Sequence, residues 1–170
     1  MIRKLKYIFI AVTALFCLNL IITSCSEESD CSMTARPSMV SNFYKYGASK
    51  NIILKDTLSY LTVKALETDS ILLNAGEKIS SFNAPLRYKH NEKEGTTAIV
   101  YEFDNIPANN DTIWVSYESS IFFVSIDCGN QIKQTITRIN RYTENTIDKV
   151  TLKYPEANNY DRENIQIILR

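Results

Sequence analysis

The sequence predicts an all-β domain, two antiparallel sheets packed face to face as a sandwich. Two observations carry that prediction. From position 39 onward apolar residues recur with period two rather than 3.6, in stretches rich in β-branched and aromatic residues. Clusters of turn formers ("ETDS", "NAGEK", "NEKEG", "NIPANND", "CGN", "YPEANNYD") separate these stretches at intervals of about 10–15 residues, the rhythm of short strands in a sandwich. A third observation, an apolar run at the N-terminus, marks the part of the chain that stands outside the domain.

The chain has 170 residues. Arg3, Lys4 and Lys6 make a basic start, and Tyr7 to Ile22 is a 16-residue apolar run broken only by Thr13 and Asn19. That is short of the about 20 residues a bilayer-spanning helix needs, and it fits the apolar region of a secretory signal. Ile22, Thr23 and Ser24 then precede Cys25. This resembles a bacterial lipobox, with an aliphatic residue three before a cysteine and small residues between. The resemblance implies cleavage before Cys25, a diacylglycerol on its thiol and a third acyl chain on its amine. Two or more chains anchor stably where one does not. An uncleaved signal anchor is the alternative reading. The expected organisation is a lipoprotein signal peptide over 1–24, a lipid-anchored tether over 25–38 and the β-sandwich over 39–170.

Removal of residues 1–24 leaves 146 residues, enough for one domain. It also takes away three basic residues, leaving 16 basic against 19 acidic. That balance argues against nucleic acid as a partner and against a polybasic membrane contact. With 22% charged and 11% aromatic residues the chain is globular rather than disordered.

Of the four cysteines, Cys17 is expected to leave with the signal, and the lipobox resemblance makes Cys25 the expected lipidation site. Cys31 and Cys128 remain, and an even pair in an exported protein reads as a disulfide. Two free thiols are the alternative. The bridge closes a loop of about 100 residues, worth at most about 4.7 kcal/mol by chain entropy. Only Ser26 to Asp30 separate Cys25 from Cys31. Six extended steps span roughly 20 Å, so the domain is expected close to the membrane. Glu27, Glu28 and Asp30 resemble the surface-export signal of Bacteroidota lipoproteins; a solvated acidic tail accounts for them equally well. No metal site is expected, because His90 is the only histidine and no Cys-x-x-Cys pair exists.

Along the domain, "LTVKA" puts Leu61, Val63 and Ala65 on one face, and "TAIVYEF" puts Ile99, Tyr101 and Phe103 there. "DTIWVSY" offers Ile113, Val115 and Tyr117. "IFFVSIDC" offers Phe122, Val124 and Ile126 with Cys128, a face expected to point inward and bury the sulfur. "KVTLKY" offers Val150, Leu152 and Tyr154, and "NIQIIL" offers Ile165, Ile167 and Leu169. "QIKQTITRINRYTENTI" mixes the helical spacing of Ile132, Ile136 and Ile139 with threonine-rich strand composition, and is read as a strand. Eight or nine strands are expected, in an immunoglobulin-like or transthyretin-like sandwich. Gly129 is expected in a turn or bulge that needs positive φ.

Chemistry is sparse. His90 ends a strand in a polar turn, and no nucleophile elbow, P-loop, dinucleotide fingerprint or zinc pattern is present. Glu67 with Asp69, and Asp104 with Asp111, are the carboxylate pairs a glycoside hydrolase would use. All four lie in turn signals, where such groups cap the backbone and stay solvated. The loop "PANND" is too short and too poor in acids for an EF-hand. No catalytic residue and no cofactor are therefore expected. Trp114 is out of phase with Ile113 and Val115 and so faces away from the apolar side. It is either a carbohydrate or protein contact or, more simply, a packing residue. Asp56-Thr57-Leu58, Asp69-Ser70-Ile71 and Asp111-Thr112-Ile113 repeat the form Asp, Ser or Thr, aliphatic. The form resembles the O-glycosylation site of exported Bacteroidota proteins, which makes Thr57, Ser70 and Thr112 candidate attachment points. A turn-ending Asp followed by a strand-starting residue produces the same form.

The motifs Asp30 to Ser32, Arg36 with Pro37, Thr68 to Ser70, Ser125 to Gly129 and Glu163 to Ile165 span nearly all of the chain after position 25. In them the sequence resembles the Bacteroidota lipoproteins that carry a domain of unknown function. The resemblance supports pairing Cys31 with Cys128 and implies no activity. The expected function is that of a non-catalytic, lipid-anchored envelope protein, a binding or assembly module at the outer membrane. It would lie on the cell surface or the periplasmic face, with the membrane as one partner and an outer-membrane protein complex or a glycan as another. A glycan-acting hydrolase and a purely structural envelope protein are the alternatives.

Overall fold

The segment "ENIQIIL" near the C-terminus shows why this chain forms a sandwich. Ile165, Ile167 and Leu169 point into the core, while Asn164 and Ile168 on the opposite face are also buried. A strand covered on both faces belongs in the middle of a sheet. In the computed structural model, which describes residues 37–68, 70–88, 92–126, 128–157 and 162–170, it lies there. The strands are β1 (Ser38–Tyr46), β2 (Ile53–Lys55), β3 (Leu61–Ala65), β4 (Ser70–Gly76), β5 (Ser81–Pro85), β6 (Glu94–Glu102), β7 (Asp111–Ser125), β8 (Gly129–Tyr142), β9 (Ile147–Leu152), β10 (Glu156–Ala157) and β11 (Glu163–Leu169). One turn of 3-10 helix, Pro107–Asn109, precedes β7.

The strands form two sheets, as the sequence predicts. The smaller runs β2-β1-β11-β9, with β5 sharing with β2 the free edge of β1. The larger runs β10-β8-β7-β6-β3-β4. Eleven strands are described rather than eight or nine. β2 and β10 are 3 and 2 residues long, too short to show alternation. Every pairing is antiparallel except β1 with β11, which run parallel from Val40↔Glu163 to Lys45↔Leu169. Parallel neighbours need a long crossover. Here that crossover is the whole domain between its first and last described strands.

The two sheets close on one core. Met39, Phe43, Ile165 and Ile167 face Leu61, Val63, Ile99, Tyr101, Ile113 and Val115, all fully buried. Phe43 meets Tyr101 edge-on at 6.1 Å and Phe103 edge-on at 6.3 Å, and Tyr101 stacks on Phe103. The one polar link at this centre is the Tyr101 hydroxyl with Ser41 Oγ at 3.1 Å. Burial pushes the Tyr101 phenol up to about 12. Of "QIKQTITRINRYTENTI", read as a strand, Gln131 to Tyr142 lie in β8, while residues 143–146 form the turn into β9.

Asp111 departs from expectation. It is fully buried at the start of β7 rather than solvated. Its carboxylate accepts from Thr143 Oγ1 (2.6 Å) and from the backbone N–H groups of Asn145 (2.8 Å), Thr146 (2.7 Å) and Ile147 (2.8 Å). It therefore shapes the β8–β9 turn. Asn164 is a second such organiser. Its side chain accepts from Val40 N at 2.8 Å and donates to the carbonyls of Tyr154 (2.9 Å) and Glu156 (2.8 Å), tying β1 to the segment before β11.

Candidate functional site

The β7–β8 hairpin outgrows its sheet. β6 accompanies β7 only as far as Glu94↔Glu118, and β10 accompanies β8 only at Gln134 and Thr135. Beyond these points Ser120–Ser125 and Gly129–Lys133 pair only with each other, and no third strand lies on either edge among the described residues. At about 3.4 Å per residue this two-stranded ribbon projects roughly 20 Å. It carries Ile121, Phe122, Phe123, Val124 and Ile126 at 58, 44, 64, 43 and 93% exposure. Alternation sends Ile121 and Phe123 to one face and Phe122 and Val124 to the other, so both faces are apolar.

Phe122, Val124 and Ile126 were expected inward with Cys128, and the structure overturns this. Past Glu118 the strand has left the sandwich, so among the described residues no opposing sheet covers either face. Cys128 is half-buried at the turn, its N–H donating to Ser125 Oγ at 3.0 Å. Gly129 follows at φ +64°, the positive φ expected of it. The sequence did hold a signal for the ribbon. Ile121, Phe122, Phe123 and Val124 are four consecutive apolar residues, which is not the alternation of a half-buried strand.

The root of the ribbon is fastened. Buried Gln134 donates Nε2 to the Arg87 carbonyl at 3.2 Å and to Ser119 Oγ at 3.3 Å. The Tyr117 hydroxyl also donates to the Arg87 carbonyl, and Ser119 N donates to the Lys93 carbonyl at 2.6 Å. Burial raises the Tyr117 pKa. The Tyr117 ring lies on the backbone of its cross-strand partner Gly95, where a Cβ would come within 2.5 Å of the phenol oxygen. Ser38, at the start of β1, pairs with Pro85, two residues before Arg87. The described chain therefore begins at the end of the sandwich from which the ribbon leaves.

A recess of about 240 Å³ opens beside this root, lined by Glu67, Arg87, Glu92, Glu94, Tyr117 and Ser119. Glu67 pairs with Arg87. Asp104 accepts from Ile106 N at 2.8 Å and Asn109 Nδ2 at 2.7 Å, so it holds the turn before β7 just as Asp111 holds the turn after β8. Among the described residues no group of three or more His, Cys, Asp or Glu side chains is arranged to hold a metal ion.

The other candidate residues are dispersed. Cys25, Cys31, Asp69 and His90 lie outside the described residues. Thr57 lies between β2 and β3 and Ser70 opens β4, both exposed; Thr112 is half-buried in β7. They sit on three separate elements. Asp56 forms an ion pair with Lys45 at 2.6 Å. Trp114 is half-buried on the outer face of the larger sheet, opposite Ala98, with the Arg141 guanidinium 4.0 Å from its ring centroid. Arg141 thus occupies one face of the indole, and Trp114 packs over a sheet side chain.

Fold and site together define a β-sandwich carrying one protruding apolar ribbon. Residues 60–169, from β3 through β11, match a family of unknown function, DUF6452, and the chain belongs to that family. No curated protein and no solved structure matches the chain.

Proposed function

We propose that this protein is a non-catalytic lipoprotein of the Bacteroidota type that acts as a binding or assembly module at the outer membrane. Acyl chains on Cys25 hold it there, and a Cys31–Cys128 disulfide joins its tether to the domain. The observation that carries the reading is the exposed apolar ribbon at the end of the sandwich where the described chain begins. A contiguous apolar surface marks an interaction site, and this one leaves the end of the sandwich at which Ser38 stands. The cystine has its own support in the sequence, since Cys31 and Cys128 are the even pair left once Cys17 and Cys25 are set aside.

Metabolic labelling with a fatty-acid analogue tests the anchor. The natural protein takes up label and fractionates with membranes, and Cys25→Ala loses the label. An unlabelled natural protein ends the reading. In-cell crosslinking from the ribbon then identifies the neighbour. Thr57 and Ser70 are the more accessible candidate glycan acceptors, and a mature mass equal to that of the acylated polypeptide alone ends that idea for all three sites.

A further inference from the structure

We infer that the β7–β8 ribbon is a second membrane contact, its apolar side chains dipping into the lipid surface that the N-terminal anchor already occupies. This rests on the lipid-anchor reading above and extends it from the tether to the folded domain.

Reach supports the inference first. Cys25 precedes Ser38 by 13 residues, a span of about 44 Å fully extended. The ribbon extends roughly 20 Å from the same end of the sandwich. An anchored domain can therefore rest ribbon-down, and with Cys31 bonded to Cys128 the six residues from Cys25 bring the turn itself within about 20 Å of the acylated cysteine. Charge supports it second. From Ser119 to Ile132 the sequence holds a single charged residue, Asp127, while Lys133 at the root is neutralised by Glu156 at 2.6 Å.

The distribution of apolar groups chooses the occupant. Ile121 and Phe123 point one way, Phe122 and Val124 the other, and Ile126 at the turn is almost wholly exposed. A flat partner, including a second copy of this chain, covers one face and leaves the other in water. A lipid layer covers both faces and the tip at once. The ribbon's edges limit the depth. Their unpaired N–H and C=O groups find no partners in hydrocarbon, and Asp127 resists the bilayer centre. The contact therefore sits at the boundary of headgroups and acyl chains. Water and phosphate reach the edges there, and the Phe and Ile side chains extend further in.

The test uses the full-length acylated protein in vesicles of phosphatidylethanolamine and phosphatidylglycerol. An environment-sensitive fluorophore is attached through Phe123→Cys, an exposed site, or through Glu144→Cys in the β8–β9 turn at the opposite end of β7. Expected are co-flotation of both proteins with vesicles, and blue-shifted emission quenched by spin-labelled lipid at position 123 only. Flotation with a water-like, lipid-unquenched signal at 123 overturns the ribbon contact and leaves the anchor standing. Burial at 123 without lipid quenching, together with chemical crosslinking into dimers, overturns it in favour of a second copy. Failure to float overturns the anchor and the inference together.

Discussion

Removing the Asp111 carboxylate is the sharpest test of how this fold is held. Four donors converge on it, and each hydrogen bond to a charged acceptor contributes about 1.5–3 kcal/mol. Simple addition overstates the loss, because Thr143 and Asn145 are exposed and recover water when the acceptor goes. The N–H groups of Thr146 and Ile147 are less accessible, and Ile147 is fully buried. Asp111→Ala should therefore cost about 3–5 kcal/mol, a large part of the ~5–15 kcal/mol of a typical domain. Asp111→Asn keeps one acceptor oxygen but turns an NH2 donor toward the remaining backbone N–H groups, so it should cost about as much as alanine. Urea denaturation followed by fluorescence reads both. With a slope near 2 kcal/mol per molar, the alanine variant should move the midpoint down by roughly 2 M at unchanged slope. A shift below roughly 0.5 M would show that the β8–β9 turn is held by something else.

Three further outcomes are expected. Gly95→Ala drives a Cβ into the Tyr117 ring and should destabilise the domain by about 1–3 kcal/mol; the loss should largely vanish in a Tyr117→Ala background, and an additive double mutant refutes the contact. Tyr101 is held protonated to about pH 12 against an ordinary 10.0, so its contribution is complete below pH 10 and disappears between pH 10 and 12. Up to about 3 kcal/mol is involved. Tyr101→Phe should flatten stability across that window, leaving the slope due to Tyr44, Tyr46 and Tyr117, which shift the same way, and an unchanged profile would contradict this. Finally, Cys31→Ser should lower stability by up to about 4.7 kcal/mol and render Cys128 alkylatable in denatured, unreduced protein; unreactive Cys128 in that variant would mean a different partner.

Periodicity reports which face of a strand is apolar, and not what lies opposite. That is why Ile113, Val115 and Tyr117 were legible as core, while Phe122 and Val124 on the same strand were misassigned. The first group faces β1 and β11; the second has outrun them. Gly129 was legible because its need is local. Asp111 was not, because its donors lie 32–36 residues away and the turn signal around it reads the same whether the carboxylate is wet or dry. β1 and β11 run side by side for a similar reason: pairing across 124 residues leaves no mark on either segment.

That last pairing sets a timetable. The strand made first has its neighbour made last, so β1 keeps a bare edge until synthesis has passed residue 163. Contacts of such sequence separation are slow to form. The domain therefore closes only once β11 has been made, and a product cut short before Glu163 has an open seam along its smaller sheet, where other chains can add.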